Sequence, residues 1–179
     1  DSVSVFNIIK NIADIPGPFY VRLARPSSEI IYEDNDSEFQ IGKANILQDG
    51  SDITIIGCGL MVYKAIKTAK ILKEKFHISA RIIDSYSIKP LDSDLVIKAG
   101  QETGAIITVE EHNIIGGLGS AVAEVCSESH PCFIKRVGVR DTFGESARDS
   151  ELNILLEHYG LTEKEIERVV LSTIDTLKK

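Results

Sequence analysis

The sequence predicts an α/β fold of three layers, a mostly parallel sheet with helices on both faces. Three observations predict it. Short apolar runs such as Ile53–Ile56 and Ala105–Val109 lack the alternation of half-exposed strands, as expected for strands buried on both faces. These runs alternate with longer segments of helical periodicity, which imply right-handed crossovers and helices on either side of the sheet. The chain has 179 residues, 43% of them hydrophobic and 26% charged, which suits one soluble domain with a real core.

The elements follow in order. Val3, Phe6, Ile8, Ile9, Ile12 and Ala13 have helical spacing, with Ser2 or Ser4 available as a cap, and Pro16-Gly17-Pro18 ends that helix. Phe19 to Ala24 reads as a strand, closed by Pro26. Residues 26–50 read as an acidic connection. Glu33 to Glu38 is too polar to enter a core, Phe39 to Ala44 is expected to add a short strand, and Gln48 to Ser51 a turn. Beyond it come strand Ile53–Ile56, helix Val62–Phe76, strand Ile78–Ile83 and a helix opened by Pro90 and Asp92 that runs toward Gly100. Strand Ala105–Val109, helix 117–129, strand Phe133–Val137 and two helices, Glu151–His158 and Glu163–Leu177, complete the chain. The first 25 residues are too few to fold alone and read as the tail of a preceding domain. Residues 26–50 are then a linker and 51–179 the main domain. The chain opens on Asp1 rather than Met, as a piece or processed form of a longer protein would.

Composition excludes several functions. Twenty basic against 27 acidic residues give a net charge of −7, with no basic stripe to hold nucleic acid or an anionic membrane. No apolar run is long enough to span a bilayer, and the N-terminus carries no basic segment followed by an apolar one. Cys58, Cys126 and Cys132 fit no zinc spacing and read as packed free thiols of a reducing cytoplasm.

Four groups of residues invite a chemical reading. Gly57-Cys58-Gly59 follows a strand and opens a helix, as in dinucleotide folds, but Val62 stands where the third glycine belongs. A tight turn with positive φ is the competing role for Gly57 and Gly59. Gly116-Gly117-Leu118-Gly119-Ser120 opens another helix and has the composition of a phosphate loop without the following lysine. The alternative is close helix packing. Glu110, Glu111 and His112 end a strand as candidate metal ligands or proton-transfer groups, yet successive strand residues point to opposite faces. Glu110 and His112 are therefore placed at a site mouth or interface. His77, His130 and His158 fall at helix ends, where a structural role suffices, and Asp141, Glu145 and Arg148 read as solvated loop charges.

Asp52–Gly57, the helix from Met61, Arg81–Asp84 with Ile88–Asp92, and Thr108–His112 with its glycines together resemble the C-terminal domain of the transketolase family. So do Gly138-Val139-Arg140-Asp141-Thr142-Phe143-Gly144-Glu145-Ser146 and the closing helices around Tyr159–Thr162. The resemblance covers roughly residues 40–175, and residues 1–25 resemble the end of the family's pyrimidine-binding domain. It implies part of an enzyme that transfers a two-carbon ketol unit between sugar phosphates of the pentose phosphate route. Arg25 takes the place of an arginine that binds the substrate phosphate, with Arg22 as the competing position. A guanidinium presents a fixed fork of donors that matches phosphate oxygens. The structural alternative is a simple ion pair of Arg25 with Glu29.

The resemblance also implies thiamine diphosphate with Mg, bound by other segments of the complete enzyme and not by this chain. No catalytic, cofactor-binding or metal-binding residue is assigned to the chain, which alone is expected to be inactive. Implied partners are the remaining transketolase sections, a second copy in a cytoplasmic homodimer, and sugar phosphates. Related readings are the C-terminal domain of deoxyxylulose-phosphate synthase or of a 2-oxo acid dehydrogenase β-subunit. From another class come a nucleotide-binding module and a structural assembly domain.

Overall fold

In the computed structural model, residues 1–33, 39–145, 148 and 151–178 are described. Most of the acidic run, Asp34 to Glu38, and Ser146 of the family-like segment lie outside the described residues.

The main sheet has the order β1-β3-β2-β4-β5, formed by Asn45–Gln48 (β1), Ile53–Gly57 (β2), Ala80–Asp84 (β3), Ala105–Asn113 (β4) and Phe133–Val139 (β5). Strands β2 to β5 pair in parallel, and β1 runs antiparallel to β3 at the edge. Alternation of side chains along the strands builds two cores. Ile53, Ile55, Ile82, Ile107 and Val109 face helices Met61–Phe76 (α2) and Glu163–Leu177 (α6). Ile56, Ile83 and Ile106 face helices Ser93–Thr103 (α3) and Leu118–Ser129 (α4). Asp92 caps α3 as expected, and Thr162 caps α6. A seven-residue helix, Leu152–His158 (α5), precedes α6.

Three expectations change. The first helix, Ser2–Ile12 (α1), is capped by Asp1, not by Ser2 or Ser4; Ser4 returns the bond as the second half of a capping box. Phe19–Ala24 forms no strand: among the described residues no strand pairs with it, and its side chains are exposed. The short strand expected at Phe39–Ala44 begins instead at Asn45, within the segment read as a connection. Phe39 is buried for a different reason, wedged edge-on between the rings of Tyr32 and Tyr86. The strand therefore lies partly in what was expected to be a turn at Gln48.

This aromatic wedge ties the N-terminal segment to the sheet. The Tyr32 hydroxyl donates to Asp84 at 2.6 Å, and Asp1 accepts from the backbone N–H groups of Ile31 and Tyr32. The segment from residue 19 to 26 is thereby led back across the carboxyl ends of the strands.

Candidate functional site

After β2 the chain adds β3 on one side and then β4 on the other, so the order reverses between β2 and β4. At such a reversal the connecting helices leave in opposite directions and open a crevice at the carboxyl ends. Cys58 and the end of β4, Glu110 to His112, lie there.

Consecutive residues Glu110 and Glu111 diverge. Glu110 is 1% exposed, and its carboxyl oxygens accept from the backbone N–H groups of Leu118 at 2.8 Å and Gly119 at 2.9 Å. Helix α4 begins at Gly117, which has no side chain to cap it, so Glu110 supplies the cap from the neighbouring strand. The glycines make room for it. A Cβ on Gly117 would run into the Glu110 carboxyl group, and one on Gly138 would lie 3.1 Å from its Cγ. A Cβ on Gly119 would lie 2.6 Å from Arg136 and 2.7 Å from the Thr108 hydroxyl. The cluster Gly116–Ser120 is therefore a close-packing device, and the amides of its first turn are already engaged. Glu110 is turned inward, away from the site mouth at which the sequence places it.

Glu111 points the other way and meets the Arg22 guanidinium at 3.8 Å. Together with residues 22–26, Arg148, Leu152 and Leu155 it lines a cleft of about 210 Å³. Arg25, the expected phosphate ligand, and Arg22, its competitor, thus share one cavity, and Arg148 joins them. Sequence reasoning left Arg148 among solvated loop charges. No local pattern signals its place there, since its neighbours in the cleft include residues more than a hundred positions earlier. His112 is exposed at the end of β4 and does not line this cleft.

Burial shifts the titratable groups of the neighbouring crevice toward their neutral forms. Burial pushes the Cys58 thiol up to about 12, helped by Glu110 and Asp84, so it stays protonated and is no nucleophile. Burial raises the Asp84 carboxyl to about 6 against the bond from Tyr32, and raises the Tyr32 phenol as well. Gly59 has a φ of 58°, as a tight turn requires, whereas Gly57 is needed for proximity. A Cβ there would stand 3.1 Å from Val109 and 3.3 Å from the Val62 backbone. Helix and strand therefore approach closely at Gly57, although Val62 stands where a third glycine would.

The thiamine diphosphate and divalent ion implied by the resemblance do not fit the residues described. Among them no three His, Cys, Asp or Glu side chains converge to hold a metal, and the α4 amides that would cradle a diphosphate serve Glu110. No step through that group is derived for this chain.

Comparison with known proteins agrees with the layout of the sheet. Residues 42–166 match the family model described as transketolase, C-terminal domain. An apulose-4-phosphate transketolase subunit of Phocaeicola vulgatus is 41% identical over 174 residues, covering 97% of this chain and 54% of the relative. A putative transketolase C-terminal section of Methanocaldococcus jannaschii is 43% identical over 167 residues, covering 92% of this chain and 51% of the relative. Among solved structures, a split gene transketolase described as an inactive beta4 tetramer superposes with a TM-score of 0.92 at 42% identity, over 100% of this chain and 57% of that one. The chain spans about half the length of these relatives.

Proposed function

The chain belongs to the transketolase C-terminal domain family, and from that premise we propose that it is the C-terminal section of a ketol-transferring enzyme. Transketolases are thiamine-dependent transferases. The reaction proposed is transfer of a two-carbon ketol unit between sugar phosphates, within pentose phosphate and related carbohydrate metabolism. Thiamine diphosphate with Mg would be supplied by the remaining transketolase domains or N-terminal section, joined to this chain covalently or non-covalently, and the assembly would be a cytoplasmic homodimer of such units. Consistent with a water-exposed chain, no helix among the described residues is long and apolar enough to cross a membrane.

The observation that carries this reading is the position of Arg25 in a cleft at the carboxyl end of the sheet. A phosphate held there, remote from the reacting carbon, lets binding energy orient the sugar before the cofactor acts on it. The chain's part is then to bind and align; the carbon–carbon chemistry is supplied by thiamine diphosphate when bound.

The division near residue 25 belongs to the same proposal. Phe6, Tyr20 and Leu23 are 68%, 90% and 54% exposed, an apolar surface suited to burial against a preceding pyrimidine-binding domain. Residues 26–50 then lead into the C-terminal domain, whose sheet starts at Asn45.

The test is ketol transfer by the chain combined with its complementary section, wild type against Arg25→Ala. Loss of a charge-assisted bond to phosphate is expected to raise the KM for the phosphorylated sugar about 10- to 100-fold with little change in kcat. An active assembly indifferent to the change would make Arg25 structural. Absence of ketol transfer with every sugar phosphate tried would point to the oxo-acid branch of the family or to no thiamine chemistry at all.

A further inference from the structure

Helix α4 ends at Ser129 and β5 starts at Phe133. The turn between them, His130-Pro131-Cys132, contains a proline, whose ring fixes one backbone dihedral. It returns Cys132 onto Cys126 of the helix. Cys126 is 1% exposed in the core under α3 and α4, and the half-buried Cys132 packs against the same cluster. Both thiols are free, and they are hydrogen-bonded to each other.

Three elements fix where the two sulfurs lie. The His130 N–H donates to the Cys126 carbonyl at 3.0 Å and closes α4. Helix α3 passes beside Cys132 with Gly100, where a Cβ would stand 3.1 Å from Cys132 Sγ and 3.5 Å from the His130 ring. The Phe133 N–H donates to the carbonyl of Gly104, the C-cap of α3, at 3.3 Å.

The two thiols are not equivalent. Pro131 and Ser127 to Ser129 are exposed around Cys132, whereas Cys126 is closed off from solvent. Burial raises both thiols. The bond between them adds to the rise at Cys126, which reaches about 12, and offsets part of it at Cys132. Cys132 is therefore both the more accessible and the more readily ionised of the pair.

We infer that Cys126 and Cys132 are a redox-sensitive dithiol, a modification site that a low-molecular-weight disulfide closes into an intramolecular disulfide, with Cys132 as the entering thiol. The Cys132 thiolate attacks one sulfur of the oxidant; that S–S bond breaks, and the thiolate that leaves takes up a proton. Cys126 gives up its proton, attacks Cys132 Sγ and expels the second thiolate, which is protonated in turn. Two cysteine thiols are oxidised by two electrons, and one disulfide molecule is reduced to two thiols. The product closes the short loop 126–132 and ties the end of α4 to the start of β5. The other end of α4 is already held by Glu110, so oxidation clamps the helix at both ends. The inference does not rest on the proposed function, and its test needs no turnover.

The assembled enzyme, this chain with its complementary section, is equilibrated with oxidised glutathione, unfolded, alkylated and digested with trypsin. Cleavage after Lys98 and Lys135 leaves both cysteines in one peptide, 99–135, and Cys58 in another, 44–64. Wild-type peptide 99–135 should lack two hydrogens and carry no alkyl group, dithiothreitol should reverse this, and Cys58 should remain an alkylatable thiol. Cys126→Ala removes the resolving thiol, so a glutathione adduct at Cys132 should rise about 10-fold or more over wild type. Cys132→Ala should leave Cys126 unmodified. Hydrogen exchange at the end of α4 should slow about 10-fold on oxidation of the wild type and not change in either variant. Reduced variants that exchange like the reduced wild type are folded. Wild-type cysteines that both stay alkylatable overturn the inference, as does an adduct that remains on Cys132 beside a free Cys126. An adduct on Cys126 in Cys132→Ala overturns the order of attack, and a disulfide that leaves exchange unchanged overturns the clamp.

Discussion

Glu110 and Glu111 are the same amino acid in adjacent positions of one strand, and they have opposite fates. Glu110 turns into the protein, where two backbone N–H groups hold it and two glycines, Gly117 and Gly138, leave it room. Glu111 turns out and shares an open cleft with three arginines, touching one of them at 3.8 Å. The strand's two-residue period alone separates them. A buried acceptor with fixed partners is part of the fold's structure, because any change leaves N–H groups stranded. An outward charge in a cleft contributes little to stability and adjusts the field that a ligand meets.

Glu110→Ala should break that contrast most strongly. It strands two amides and empties a packed site, an expected loss of about 2–4 kcal/mol in urea unfolding. Glu110→Gln, which keeps an acceptor, should lose less. A loss below about 1 kcal/mol for the alanine variant would mean that α4 does not depend on this cap.

Asp84 sharpens the same point through pH. Its folded pKa, about 6, lies above the ordinary value of 3.8, so the folded state holds the proton more tightly than the unfolded one. The stability this gives is complete below about pH 4 and disappears as the pH rises through 6. Asp84→Asn does not titrate, so its deficit relative to wild type should shrink by about 2 kcal/mol between pH 4.5 and pH 7. A pH-independent deficit would remove the buried-charge account.

The smallest structural effect is expected at Glu111→Ala. Its exposed ion pair with Arg22 is worth less than about 1 kcal/mol. Removing the only carboxylate described in the cleft should instead tighten inorganic phosphate binding by a few-fold, read by calorimetry on the assembled enzyme. Weaker phosphate binding would show that Glu111 is needed to position Arg22.

Much of this was legible beforehand because it is local. Continuous apolar runs announce buried strands, Asp92 announces the start of α3, and alternation forbids Glu110, Glu111 and His112 from converging. What was not legible is non-local. Phe19–Ala24 has the composition of a strand, but composition cannot say whether a partner strand exists. The Gly116–Ser120 cluster looks like an anion loop because the carboxyl group that fills it lies on the preceding strand. Gly57 was expected to serve a turn, and its role depends on where Val109 and Val62 arrive. Arg148 shares a cleft with residues 22–26, which lie more than a hundred positions away in sequence.

The two margins of the sheet are defended in different ways. Strand β1 is four residues long, antiparallel, and its register slips between Ile46 and Gln48. At the far side, β5 presents Lys135 and Arg136 to solvent. A short, bulged border offers an incoming strand too few aligned amides to add to, and a charged one repels its own copy. Both borders therefore disfavour the edge-to-edge addition of a second folded copy, by shortness on one side and by charge on the other.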